Sequence, residues 1–112
     1  MAVLHHPARE QIRLVDVLYA LGHPIRFSIV RALASGQETS CGAIDIPAPK
    51  STLTTHWRVL RESGVIRQRP EGRKLYLTLR RDDLDARFPG LLDLVLSEEH
   101  EPTAAADREL VP

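Results

Sequence analysis

A mainly α-helical domain with one small β-hairpin is the fold class this sequence predicts, and three observations predict it. The first is the stretch from Pro49 to Ser63, where Leu53, Trp57 and Leu60 recur at helical spacing with Val59 beside them. Pro49 suits a first helical position and Gly64 suits the left-handed residue just past the end, so both boundaries carry a signal. The second lies directly after Gly64. A short β-prone run, Val65 to Gln68, leads into a turn from Arg69 to Arg73, and then Leu75, Leu77 and Leu79 alternate against Lys74, Tyr76 and Thr78. That is a hairpin with a basic tip. The third is charge. Fifteen basic and fifteen acidic side chains balance over the chain, yet residues 50–81 carry nine basic against two acidic, and residues 82–112 carry two against nine. The middle third suits a polyanion, and the last third is repelled by one.

Length and composition set the outer bounds. At 112 residues, 43% of them hydrophobic, one domain with a modest core is expected. No apolar run approaches the roughly 18 residues that cross a bilayer. No hydrophobic leader opens the sequence, so a cytoplasmic protein without a membrane partner is expected. The single cysteine, Cys41, cannot close an internal disulfide, which fits a reducing compartment. Aromatic residues make up only 4%, which disfavours a platform on which single-stranded or RNA bases stack.

In chain order, residues 1–8 read as a flexible arm. His5 and His6 lack a partner at helical spacing and read as exposed imidazoles rather than metal ligands. From Arg9 to Leu21 the residues Ile12, Val15, Leu18 and Tyr19 keep helical spacing, and Gly22 stops the run. A second helix is expected from Pro24 to Ala34, closed by Gly36, with His23 as its boundary residue. In Gln37 to Ala48, Thr39 or Ser40 can cap a short turn through Ala43 and Ile44, but Pro47 and Pro49 exclude a long helix. Cys41 reads as a small half-buried side chain, the alternative being a bridge between two subunits. Past the hairpin, Asp82 can cap a short helix that Pro89 and Gly90 break.

Leu91, Leu92, Leu94, Val95 and Leu96 then form a helix that is apolar nearly all round, for which a second subunit is the simplest burial site. The expected dimer interface is Ile12, Val15, Leu18 and Tyr19 with Leu91, Leu92, Val95 and Leu96. Residues 9–97 are expected to fold, and the acidic, Ala-rich residues 98–112 to form a disordered tail.

The order helix, helix, short turn, cationic helix, basic hairpin is a winged helix-turn-helix layout, and the apolar last helix leads a homodimer to be expected. Its third helix enters the major groove of DNA and its wing lies over a neighbouring backbone or minor groove. Hydroxyls and cations reach phosphates and base edges there, where a carboxylate would be repelled. Lys50, Ser51 and Arg58 are expected to hold phosphates. Thr54 and Thr55, with Thr52 assisting, face base edges, and Arg69, Arg73 and Lys74 anchor the wing. His56 has two readings, a structural histidine bonded within the domain or a phosphate or base contact; Trp57 reads as core. The expected partner is a double-stranded operator, a palindrome for a dimer. One rival is a winged-helix module that binds an acidic protein. An enzyme is the weaker rival, since the only thiol has no evident base beside it.

These residues resemble the ArsR/SmtB-type winged-helix repressors of bacteria. The resemblance rests on residues 20–26 and 29–33, on the run from Lys50 to Ile66 with its Ser51, Thr52, His56, Val59, Leu60, Arg61 and Gly64, and on Glu71 to Tyr76 as the wing. It spans residues 10–97 and implies a homodimeric transcriptional regulator joined through its first and last helices. Metal-sensing members carry a Cys-x-Cys pair before the third helix, where this chain has Ser40-Cys41-Gly42-Ala43 with one thiol. Others carry an Asp-x-His pair and a later His-x-x-Glu or His-x-x-His, whereas Asp93, Glu98, Glu99 and His100 lack that spacing. No metal site and no cofactor are therefore expected, the alternative to an acidic solvated helix end being a site that two subunits assemble from Glu98, Glu99 and His100, and the effector is left unassigned.

Overall fold

The computed structural model describes residues 4–98. Five α-helices and a three-stranded antiparallel sheet follow one another: α1 (Leu14–Leu21), α2 (Pro24–Ala32), β1 (Thr39–Ser40), α3 (Lys50–Glu62), β2 (Ile66–Glu71), β3 (Lys74–Leu79), α4 (Arg81–Arg87) and α5 (Leu91–Ser97). The sheet order is β1-β3-β2. This is the winged helix-turn-helix fold. β2 and β3 form the wing, in register from Ile66↔Leu79 to Glu71↔Lys74, around a two-residue loop. Gly72 opens that loop at φ 61°, a left-handed conformation that glycine adopts without strain. Pro70 is tolerated because β2 is an edge strand and needs no amide on its outer side.

One core joins all the layers, with Val17 and Ala20 from α1, Ile29 and Val30 from α2, Trp57 and Leu60 from α3, Leu77 from β3 and Leu84 from α4. The alternation of β3 sends Leu77 and Leu79 inward, as expected, while Leu75 is only half-buried. Between β1 and α3 the expected short helical turn is a 3-10 turn at Cys41–Ala43 with Ser40 at its N-cap position, but no side chain bonds there; Thr39 and Ser40 pair with Leu77 and Tyr76 in the sheet.

The structure corrects several expectations. The first helix does not run from Arg9 to Leu21: a 3-10 turn at Arg9–Gln11 is followed by extended backbone at Ile12 and Arg13. The break releases the Ile12 carbonyl, which accepts from Arg87 Nη2 at 2.5 Å, and turns the Ile12 side chain inward. Ile12 is 1% exposed and Leu92 0%, so both fill the chain's own core and neither is free to face a partner. Leu91, Val95 and Leu96 are half-buried against that core. What α1 and α5 do expose is Leu14, Val15, Leu18, Tyr19 and Leu94. α4 begins at Arg81 with Arg80 as its N-cap, so Asp82 lies inside the first turn rather than capping it.

The described part of the expected flexible arm is docked. His6 Nε2 accepts the Gln68 amide at 3.0 Å, and the carbonyl of the buried Pro7 accepts from Arg80 Nη1 at 2.7 Å. The expected tail lies outside the described residues from Glu99 onward, and His100 with it.

Candidate nucleic-acid interface

α3 owes its position to both of its ends. Pro49 is the N-cap rather than the first helical residue, and no side chain caps the first-turn amides there. At the other end the Val65 amide donates to the Leu60 carbonyl at 3.0 Å and the Gly64 amide to the Arg61 carbonyl at 3.1 Å. This double closure requires Gly64 in a left-handed conformation, and its φ is 90°. The chain then turns straight into β2, so the helix fixes where the wing begins.

Trp57 and Leu60 are buried while Lys50, Ser51, Thr52, Thr54, Thr55 and Arg58 line the other side of the helix. The Thr54 hydroxyl donates to the Lys50 carbonyl at 3.0 Å and that of Thr55 to the Ser51 carbonyl at 3.4 Å. Each oxygen keeps a lone pair and each threonine its methyl. Those are the groups that meet a base amino group or a thymine methyl. Lys50 and Thr54 share an open groove of about 570 Å³ with Arg73, Lys74 and Leu75 of the wing, floored by Trp57 and Cys41. The fold thus brings the start of α3 and the wing tip to one channel. Burial raises the Cys41 thiol above its ordinary range and keeps it protonated.

The nine cations of residues 50–81 divide unequally. Arg80 is paired with Asp83 at 2.8 Å and is almost fully buried. Arg61 is turned inward, its Nη1 2.5 Å from the Gln68 side-chain oxygen. Arg67 and Arg81 face Asp83, Asp85 and Asp93. Arg69 is held by Glu38 at 2.7 Å and Glu71 at 2.5 Å, and its guanidinium lies over the Tyr76 ring. These contacts hold Arg69 well above its usual range and Glu38 below its own. Lys50, Arg58, Arg73 and Lys74 are left without an ion pair among the described residues. All four lie on α3 or the wing tip.

Two expected contact residues are therefore engaged within the chain. Arg69 braces the base of the wing against Glu38. His56 is 7% exposed, with Nδ1 3.2 Å from Arg26 Nη1, which is the structural reading of the two. Burial, then His23 and Arg26, hold its imidazole below the ordinary range and so neutral. Glu38 lies outside the cationic segment and 31 residues from Arg69, and Arg26 falls within the stretch that carries the resemblance, but its tie to His56 spans 30 residues and shows only in the fold. No group of three His, Cys, Asp or Glu side chains among the described residues is placed to hold a metal ion. No helix of the described residues is long and apolar enough to cross a membrane.

Comparison with known proteins gives a consistent answer. A helix-turn-helix domain model matches residues 21–69. The chain is 36% identical over 87 residues to the uncharacterized HTH-type transcriptional regulator YceK of Bacillus subtilis, covering 75% of this chain and 86% of that one. The HTH-type regulator MJ1325 of Methanocaldococcus jannaschii is 31% identical over 62 residues, 54% of this chain and 70% of its own. Among solved structures, an ArsR family transcriptional regulator superposes with a TM-score of 0.59 at 20% identity, over 85% of this chain and all of that one, which speaks for the fold. Another, described as a possible transcriptional regulator for arsenical resistance, has a TM-score of 0.58 at 31% identity over 81% of this chain and 95% of its own. With the fold, the wing and these matches in hand, the chain belongs to the helix-turn-helix transcriptional regulators and shares the fold of an ArsR family regulator.

Proposed function

We propose that the protein is a dimeric repressor that binds a palindromic double-stranded operator, α3 serving as recognition helix in the major groove and the wing lying over the flanking backbone. The observation that carries this reading is the placement of the unpaired cations Lys50, Arg58, Arg73 and Lys74 on one face formed by α3 and the wing tip. Lys50, Ser51 and Arg58 hold phosphates, with the uncapped amides at the start of α3 adding a partial positive charge. Thr54 and Thr55, assisted by Thr52, read base edges, and Arg73 and Lys74 anchor the wing. Two protomers pair through the exposed Val15, Leu18 and Tyr19 of α1 together with α5. The likeness in sequence and in fold to proteins called transcriptional regulators supports the reading. The effector is unassigned.

Selecting bound duplexes from a random pool, then titrating the winner and a scrambled control against salt, tests this. A preferred palindrome is expected, with a salt slope of up to about 7 if all four cations of both protomers meet phosphate. Equal binding to every duplex, or a shallow slope with tight binding to an acidic polypeptide, would point instead to a protein-interaction module.

A further inference from the structure

α3 is attached to the domain by more than apolar packing. Behind it lies Arg26 of α2, 7% exposed, whose guanidinium is divided between two other helices. Nε donates to the Ala20 carbonyl at 2.7 Å and Nη2 to the Tyr19 carbonyl at 3.1 Å, which ties one edge to the last turn of α1. Nη1 faces Nδ1 of His56 on α3 at 3.2 Å. A guanidinium only donates and does not lose its proton, so Nδ1 is the acceptor and the neutral ring carries its proton on Nε2.

The surroundings make that arrangement sensitive to charge. The His56 ring lies 4.6 Å from the His23 ring, whose own Nδ1 accepts the Ile25 amide at 3.1 Å. His23 and Arg26 come from the start of α2, and Tyr19 of α1 lies under the guanidinium, which sits 5.2 Å from its ring centre. Among the described residues, neither Arg26 nor His56 has an ion pair with a carboxylate. The acidic side chains on this side, Asp16 of α1 and Glu62 of α3, are exposed in a separate hollow lined by Tyr19, Val59 and Ser63. A proton on Nδ1 would set donor against donor and like charge against like, at a contact where both side chains are 7% exposed.

We propose that Arg26 is the positioning residue that sets the recognition helix against α1, and that a proton on His56 undoes this linkage, so that mild acid releases the operator. The proposal rests on the DNA-reading role proposed for α3. Tyr19 lies on the exposed face of α1, so the same guanidinium links the pairing face of the protomer to its reading face.

The test compares wild type with His56→Asn, whose amide oxygen can stand where Nδ1 stands and cannot take a proton. Anisotropy titrations of operator and scrambled duplexes run from about pH 8 to about pH 4.5, reaching well below an ordinary imidazole because the His56 ring is held under it. Wild-type affinity for the operator should fall at least about tenfold across it, while scrambled binding holds or strengthens with the added positive charge. His56→Asn should match wild type at the alkaline end and keep its operator affinity at the acidic end. Arg26→Lys, with one nitrogen for three acceptors, should weaken operator binding throughout and flatten the profile.

Two readouts need neither DNA nor a variant that folds. Ring 15N spectra of wild-type His56 should show Nδ1 unprotonated at neutral pH, and Trp57 emission should shift as the ring titrates. Parallel acid profiles in wild type and His56→Asn, or a protonated Nδ1 at neutral pH, would overturn the proposal. Failure of every duplex to bind at any pH would overturn the DNA reading instead, leaving the linkage to be judged by Trp57 and the ring spectra.

Discussion

Replacing Gly64 by alanine tests the joint between the reading helix and the wing. Two effects add at this position. The φ of 90° places an L-residue in left-handed conformation, and a Cβ built there would lie 2.6 Å from Ile12 Cγ1 and 2.8 Å from its Cδ1. Neither distance is reached in a relaxed structure, and Ile12 is buried at 1%, so it cannot swing aside. Gly72 supplies the control: its φ is 61°, yet nothing lies within 4 Å of the added carbon. Gly72→Ala should cost about 1 kcal/mol, the conformational penalty less the entropy lost by the unfolded chain. Gly64→Ala should cost about 2–4 kcal/mol, the excess being overpacking against Ile12. Urea unfolding followed by Trp57 fluorescence at one fixed protein concentration measures both, since assembly would make the midpoint depend on concentration. Ile12→Ala is destabilising alone, but combined with Gly64→Ala it should return most of the overpacking cost. Equal costs at the two glycines, or strict additivity with Ile12→Ala, would refute the contact.

Three further outcomes are expected. Arg73→Ala should lower the operator salt slope by about one unit for each phosphate that the missing guanidinium no longer neutralises in each protomer. Arg69→Ala should leave the slope unchanged and loosen the wing, because its charge already faces Glu38 and Glu71; anisotropy at several salt concentrations separates them. Val15→Glu with Leu18→Glu should give folded monomers by sedimentation, since both side chains are more than half exposed, whereas Leu92→Glu should prevent folding because it is fully buried. The His6 imidazole is held below its ordinary value of 6.5, first by burial and also by Arg67, Arg61 and Arg80. A depressed histidine favours the folded chain while neutral, so its contribution is present above pH 6.5 and is lost as pH falls through the folded value. Thermal unfolding of His6→Ala should show less acid sensitivity than wild type.

What the sequence made legible was local. Leu53, Trp57 and Leu60 announce α3 by spacing, Gly64 its end, and the alternation from Lys74 to Leu79 the wing, since each depends on neighbours in the chain. What it concealed was set by partners far away. Arg69 counts as a free cation until Glu38 is found folded against it, 31 residues earlier. Arg61 and Arg80 swell the cationic segment on paper, although both are turned inward. Ile12 fits the stripe of a first helix, and its burial beside Gly64 and the bond from Arg87 to its carbonyl depend on residues far along the chain. β1 is two residues long, too short for any period to show. The run from Leu91 to Leu96 signalled apolar burial without saying how much of it the chain satisfies alone; Leu92 goes inside and Leu94 stays 65% exposed.

The docking of His6 and Pro7 has a consequence for how the molecule keeps to itself. β2 is an outer strand, and the Gln68 amide is a bare donor on its open side unless something covers it. Such a rim can template a strand from another molecule and grow sheets between chains. Here the rim is blunted twice, by an imidazole capping the Gln68 amide and by Pro70, which offers no donor. The opposite rim, β1, is too short to recruit anything. Trimming the chain back past Pro7 would strip the cap from the longer rim. Such a trimmed chain should self-associate through its wings, in a form distinct from the proposed pairing of α1 faces and insensitive to Val15→Glu.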